Sequence, residues 1–128
     1  MTLIDTIKRH EGFRAIPYQC SSGVWTIGYG FTSLTKYESD VILKIKVDNL
    51  RVDLAPVIEP LSPDRQDVII NMAYNLGIGG VMGFKRMWLA IYDMDFGRAA
   101  DEMLDSRWAR QVGRRAGELS EIMRKGEE

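Results

Sequence analysis

With 128 residues, 45% of them hydrophobic and 27% charged, the chain has room for one domain with a real core and lacks the composition of a disordered or fibrous protein. Seventeen basic against eighteen acidic side chains leave a net charge of −1, which argues against a general polyanion binder. One cysteine forbids an intramolecular disulfide and fits a reducing compartment, and the first residues hold no apolar run long enough for a signal peptide or a membrane span.

The first predicted element is a helix over residues 2–11, opened by Thr2 with Asp5 three residues on, a capping-box pattern with Asp in place of Glu. Leu3, Ile4 and Ile7 share one face of it, and Glu11 stands at its end before Gly12. Apolar neighbours of that kind are expected to half-bury the Glu11 carboxyl and favour its neutral form. Residues 13–18 read as extended, with Pro17 tolerated only at a sheet edge. Cys20-Ser21-Ser22-Gly23 supplies turn chemistry, and residues 24–27 return as a strand, so the segment predicts a tight β-hairpin. Gly28 and Gly30 flank Tyr29, which points equally to a backbone that must bend or admit a ligand and to a plain glycine-rich turn.

Thr35 and Glu38 form a second capping box, and a helix over about 36–54 follows with Leu43, Val47, Leu50 and Leu54 on one face. Residues 55–60, with Pro56 and Pro60, are expected to break it as an apolar hinge. Ser62-Pro63-Asp64 is a strong helix start, followed by a core stripe of Val68, Ile69, Met72, Ala73 and Leu76. Residues 77–84 read as a glycine-rich connection, without the pattern of a phosphate loop. Helices over 85–94 and 95–104 come next, the second with Phe96, Ala99, Ala100, Met103 and Leu104 inward, and Met87 and Met94 as core fillers. Arg107, Arg110, Arg114 and Arg115 then place four positive charges in nine residues on a short helix pair, before a last helix with Leu119, Ile122 and Met123. A solvated basic face explains those arginines, and nucleic-acid binding is disfavoured by the overall charge balance and the lack of a recognition motif.

Three ordered blocks carry a resemblance. The first is Glu11, eight residues, Cys20, five residues, Thr26, set in a helix end and hairpin; it resembles the active-site motif of the tailed-phage lysozymes (endolysins, glycoside hydrolase family 24), in which a Glu, an Asp or Cys and a Thr have this spacing. The second is Ile70-Asn71-Met72-Ala73-Tyr74-Asn75-Leu76-Gly77 with Gly83-Phe84 after it; the third is Trp108, Gln111 and the Arg115-Ala116 pair. The resemblance implies a mainly helical α+β, lysozyme-like fold in one domain. Its expected parts are an N-terminal α/β lobe over about 1–34, a connecting helix over about 36–54 and a C-terminal helical lobe over about 61–128.

It also implies hydrolysis of the β-1,4 bond between N-acetylmuramic acid and N-acetylglucosamine in peptidoglycan. That chemistry needs a proton for the leaving oxygen and a nucleophile on the other side of the sugar carbon. By resemblance Glu11 is the acid, Cys20 is a base, nucleophile or water-positioner, and Thr26 holds the attacking water. A thiol with the ordinary pKa of about 8.5 is only a few per cent ionised near neutrality, so Cys20 needs a thiolate-favouring setting for the first two roles. Gly30, Phe31, Tyr74, Asn75 and Arg107 are the implied substrate-binding residues, and Arg115 is expected to lie against Glu11 and position it. Phe31 stands where some relatives carry a His. No metal or other cofactor is implied, since one His and one Cys offer no ligand spacing.

The implied partner is the peptidoglycan glycan strand, with no nucleic acid and no membrane insertion, and a monomer is expected. The implied location is the host cytoplasm until a holin-type pore or a carrier assembly brings the protein to the wall. Relatives that control themselves by trapping the active-site Cys in a disulfide have a second Cys, which is absent here. Relatives are often more basic and commonly continue a little past this chain's end, which predicts a weakly packed last helix. Two other readings fit the same residues: a glycan-binding module that has lost turnover, and a lytic transglycosylase.

Overall fold

The structure, a computed structural model, describes residues 1–127. It is α+β and mainly helical, as the sequence predicts. The order is α1 (Leu3–Glu11), β1 (Arg14–Gln19), β2 (Trp25–Gly28), α2 (Lys36–Ile58), α3 (Pro63–Met82), α4 (Lys85–Tyr92), α5 (Phe96–Leu104), α6 (Arg107–Val112) and α7 (Arg114–Lys125). Two compact units result, Met1–Ile42 and a second that begins at Leu43, so the division falls inside α2.

In the first unit α1 opens as expected: the Asp5 amide donates to Thr2 Oγ1 at 3.1 Å and the Thr2 amide donates back to the Asp5 carboxylate at 3.1 Å. The Thr2 amide, and after it the Thr2 hydroxyl donating to the same carboxylate at 2.8 Å, hold the Asp5 carboxyl below its ordinary pKa. β1 and β2 pair antiparallel with Tyr18 opposite Thr26 and Gln19 opposite Trp25, and the register slips between Arg14 and Tyr18. Pro17 lies in that irregular stretch, where its missing N–H removes no needed ladder bond. Past β2 the chain doubles back through an Ile27–Phe31 bridge, its two N–H···O bonds 3.0 and 2.8 Å long. Gly28 and Gly30 inside that turn have φ of 66° and 80°, a region open to glycine. The second capping box, Thr35 with Glu38, also forms, the two bonds measuring 2.8 and 3.1 Å.

Two of the expected breaks are helical instead. α2 runs through Pro56 to Ile58, because Leu54, Ile58 and Leu61 are buried one after another and continuing the helix seats them together. Pro56 withholds only one N–H, near the helix end, where the Glu59 amide still reaches the Ala55 carbonyl at 3.1 Å. Pro56→Ala restores that donor and is expected to raise stability by about 1 kcal/mol. A denaturant midpoint equal to or below that of the native chain would show that the proline belongs where it stands.

The glycine-rich stretch is likewise helical as far as Met82, with one kink at Gly77, whose φ of 79° and ψ of 163° lie outside helical space. Val81, fully buried, explains why the helix resumes after the kink. The core of this unit gathers Val68, Ile69, Met72 and Ala73 of α3 with Met87, Ala90, Ala99, Ala100, Met103, Trp108 and Met123. Buried methionines fill the gaps between helices that meet at small residues, Ala99 and Ala100 on α5 and Ala116 on α7. α5 packs on α4 and α7, and α3 on α7.

Three side chains depart from expectation. Met94 is 75% exposed at a φ of 58° in the turn after α4, and Leu104 is 44% exposed at the end of α5, so neither fills the core. Leu76 is only half-buried, since it stands just before the Gly77 kink. The last helix, by contrast, is firmly held. Arg65 lies with its guanidinium 3.5 Å from the Phe96 ring centre and donates to the carbonyls of Met123 at 2.7 Å and Arg124 at 3.2 Å. Those carbonyls are the ones a helix C-terminus leaves unpaired.

Candidate active site

Glu11 is the last residue of α1, and the chain turns away at Gly12, whose amide closes the helix on the Lys8 carbonyl at 2.8 Å. The expected half-burial is not found. Leu3, Ile4 and Ile7 are 74, 60 and 43% exposed, no residue of α1 is buried, and Glu11 itself is exposed. The carboxylate lies close against the doubling-back turn: a Cβ built on Gly30 would fall 2.5 Å from Glu11 Oε2 and 2.9 Å from its Cδ, and the φ of 80° at Gly30 is what favours glycine there. Phe31, the next residue, folds its ring back over Gly28 and is half-exposed.

Four positions before Gly30, Thr26 is the single buried side chain of β2. Its hydroxyl donates to the Val24 carbonyl at 3.0 Å, which leaves its oxygen lone pairs as the feature it offers a ligand. Cys20 lies across the hairpin turn, half-buried. Its amide donates to the Val24 carbonyl at 2.9 Å, and the Gly23 amide closes the turn on the Cys20 carbonyl at 2.8 Å. Its Sγ is 3.0 Å from Ser22 Oγ. The Ser22 hydroxyl, then the Ser22 and Val24 amides, lower the thiol pKa to about 7. The sulfur is therefore substantially ionised at neutrality. Glu11 with Gly30, and Cys20 with Thr26, thus stand at the two ends of one short strand-and-turn segment. The sequence motif marked the acid, thiol and hydroxyl; Ser22, visible only as a turn residue, was not singled out.

The other candidates lie in the second unit, in two places. Tyr74, half-exposed on α3, lines a pocket of about 370 Å³ with Leu43, Val47, Arg51, Asn71 and Arg115. Asn71, noted in the sequence only for its spacing from Asn75, holds Arg115: its Oδ1 accepts from Nε at 3.0 Å and from a terminal nitrogen at 2.6 Å. Asn75, exposed on the same helix, accepts the indole N–H of Trp108 on its Oδ1 at 2.8 Å. Arg107, exposed at the start of α6, lines a second pocket of about 400 Å³ with Phe84, Trp108 and Gln111. Among the described residues no group of three or more His, Cys, Asp or Glu is gathered to hold a metal ion.

Comparison with known proteins gives a consistent picture. A family model described as phage lysozyme matches residues 8–128. An endolysin of Acyrthosiphon pisum secondary endosymbiont phage 1 is 32% identical over 80 residues, covering 56% of this chain and 55% of that protein. The pre-baseplate central spike protein Gp5 of Enterobacteria phage T4 is 24% identical over 161 aligned positions, covering 98% of this chain and 28% of that protein. Probable T4-type lysozyme 1 of Dictyostelium discoideum is 27% identical over 90 residues, covering 70% and 53%. The matched part is thus about half the length, or less, of these curated relatives.

Proposed function

The chain belongs to the phage lysozyme family, and from that premise we propose that it is a peptidoglycan muramidase, a glycoside hydrolase that cuts the β-1,4 bond between N-acetylmuramic acid and N-acetylglucosamine. The observation that carries this reading is the Glu11 carboxyl seated on Gly30, with a thiolate-favouring Cys20 and the buried Thr26 at the other end of the same segment.

In the proposed reaction the protonated Glu11 carboxyl gives its proton to the glycosidic oxygen as the bond from that oxygen to the sugar carbon breaks. The Thr26 oxygen, its own proton engaged by Val24, accepts a hydrogen bond from a water and aims the water's lone pair at that carbon. The Cys20 thiolate beside it takes the water's proton as the new carbon–oxygen bond forms. Gly30, Phe31, Tyr74, Asn75 and Arg107 are the proposed sugar contacts, Asn75 also holding the Trp108 indole. Arg115, oriented by Asn71, is the proposed positioning partner of Glu11.

Among the described residues no helix is long and apolar enough to cross a membrane. We propose a monomer that waits in the host cytoplasm and reaches the wall through a holin-type pore or as part of a carrier assembly. A carrier suits a sequence whose likeness covers 28% of a central spike protein. The activity is tested by incubating the protein with purified peptidoglycan and titrating new reducing ends. A folded protein that binds the wall and releases none would replace the hydrolase reading with that of a glycan-binding module.

A further inference from the structure

We propose that Ser22 is a positioning residue of this site: its hydroxyl donates a hydrogen bond to the Cys20 sulfur and holds that sulfur, as thiolate, toward Thr26. The proposal rests on the muramidase reading for its place in a reaction, and on geometry for the contact itself. Ser22 Oγ lies 3.0 Å from Cys20 Sγ, well inside hydrogen-bonding distance for sulfur. An ionised sulfur has no proton to give, so the serine must be the donor. The turn keeps the two side chains together. Gly23, at a φ of 82°, returns its amide to the Cys20 carbonyl, and the Cys20 amide is tied to Val24, which leaves Ser22 across from the sulfur it follows by two residues.

Burial does not explain the pairing, because Ser22 is exposed and water would satisfy its hydroxyl equally well. A serine present for turn propensity alone has no need of the sulfur. The groups that lower the Cys20 pKa most are the Ser22 hydroxyl and amide and the Val24 amide, all dipoles, with no charged side chain among them. Of these, the Ser22 hydroxyl contributes most, and the two amides belong to the backbone of the turn. The serine is therefore the side chain through which this turn acts on its thiol, and it can be replaced without removing a backbone donor.

The test uses the single cysteine of the chain, so that alkylation reports on one sulfur. Iodoacetamide is added between pH 5 and 9; the thiolate attacks the CH2 carbon, a sulfur–carbon bond forms and iodide leaves. Native protein is expected to show a rate midpoint at about pH 7. Ser22→Ala should move the midpoint up and slow alkylation at pH 6 by about fivefold to tenfold, and Ser22→Thr should restore the native profile. Circular dichroism confirms that each variant is folded.

The pH profile of reducing-end release is then compared, and its neutral-side rise should move with the alkylation midpoint. An alkylation midpoint unchanged in Ser22→Ala, with native hydrolysis intact, overturns the role of Ser22 and leaves the muramidase standing. A shifted midpoint in proteins that release no reducing ends overturns the muramidase reading, and with it the place of Ser22 in a reaction.

Discussion

Glu11→Gln is expected to slow release of reducing ends from peptidoglycan by about 10²–10⁴-fold, the usual contribution of a positioned general acid. The amide matches the carboxyl in shape, so it can occupy the same place against Gly30, but it has no acidic proton to give the leaving oxygen. Because Glu11 is exposed at a helix end, the fold should hardly notice the change, with stability kept within about 0.5 kcal/mol. The pairing of a large loss of activity with an unchanged denaturation curve is what separates a catalytic acid from a structural one. A variant that hydrolyses at the native rate would remove Glu11 from the proposed role.

The largest effect on stability is expected at Trp108. The ring is 3% exposed, meets Phe84 edge-to-face at 6.0 Å between centres, and gives its N–H to Asn75. Trp108→Ala removes the buried ring and leaves a cavity among α3, α5 and α7 that helices meeting at fixed small residues cannot fully close, for a loss of about 3–5 kcal/mol. Trp108→Phe keeps a ring and gives up the hydrogen bond, for about 1–2 kcal/mol. The difference in urea midpoint between the two variants measures packing against the polar tether. Equal midpoints would mean that the Asn75 bond, not the buried ring, holds this corner together.

Much of this molecule was legible in its sequence, and the exceptions have physical causes. Both capping boxes and the Ser62 cap were readable because a side chain satisfying a nearby amide is a local event with a local signature. The hairpin was readable from its turn residues, Cys20-Ser21-Ser22-Gly23, between two extended stretches. Pro56 and the glycines after Leu76 have the local propensity of breaks, yet only Gly77 interrupts a helix, and the chain is helical again to Met82. Burial of Ile58 and Val81, which depends on residues far away in the chain, outweighed that propensity.

The site divides in the same way. The acid, thiol and hydroxyl of the first unit followed from one spaced motif, and the positive φ of Gly28 and Gly30 in the doubling-back turn gives the paired glycines their reason. The half-burial expected for Glu11 failed because an amphipathic face states what a helix is able to bury, not what covers it. Ser22 beside the sulfur, Asn71 under Arg115 and Asn75 on the Trp108 indole are polar pairings, and no periodicity announces them.

What the protein makes from a glycan strand decides whether it is a hydrolase. Purified peptidoglycan is digested with native protein and with Glu11→Gln, and the products are weighed by mass spectrometry. Muropeptides ending in reducing N-acetylmuramic acid, from the native protein and at a far lower level from the variant, are the predicted result. Anhydro-muramic ends would make the enzyme a transglycosylase, in which no water is added and the proposed work of Cys20 and Thr26 falls away.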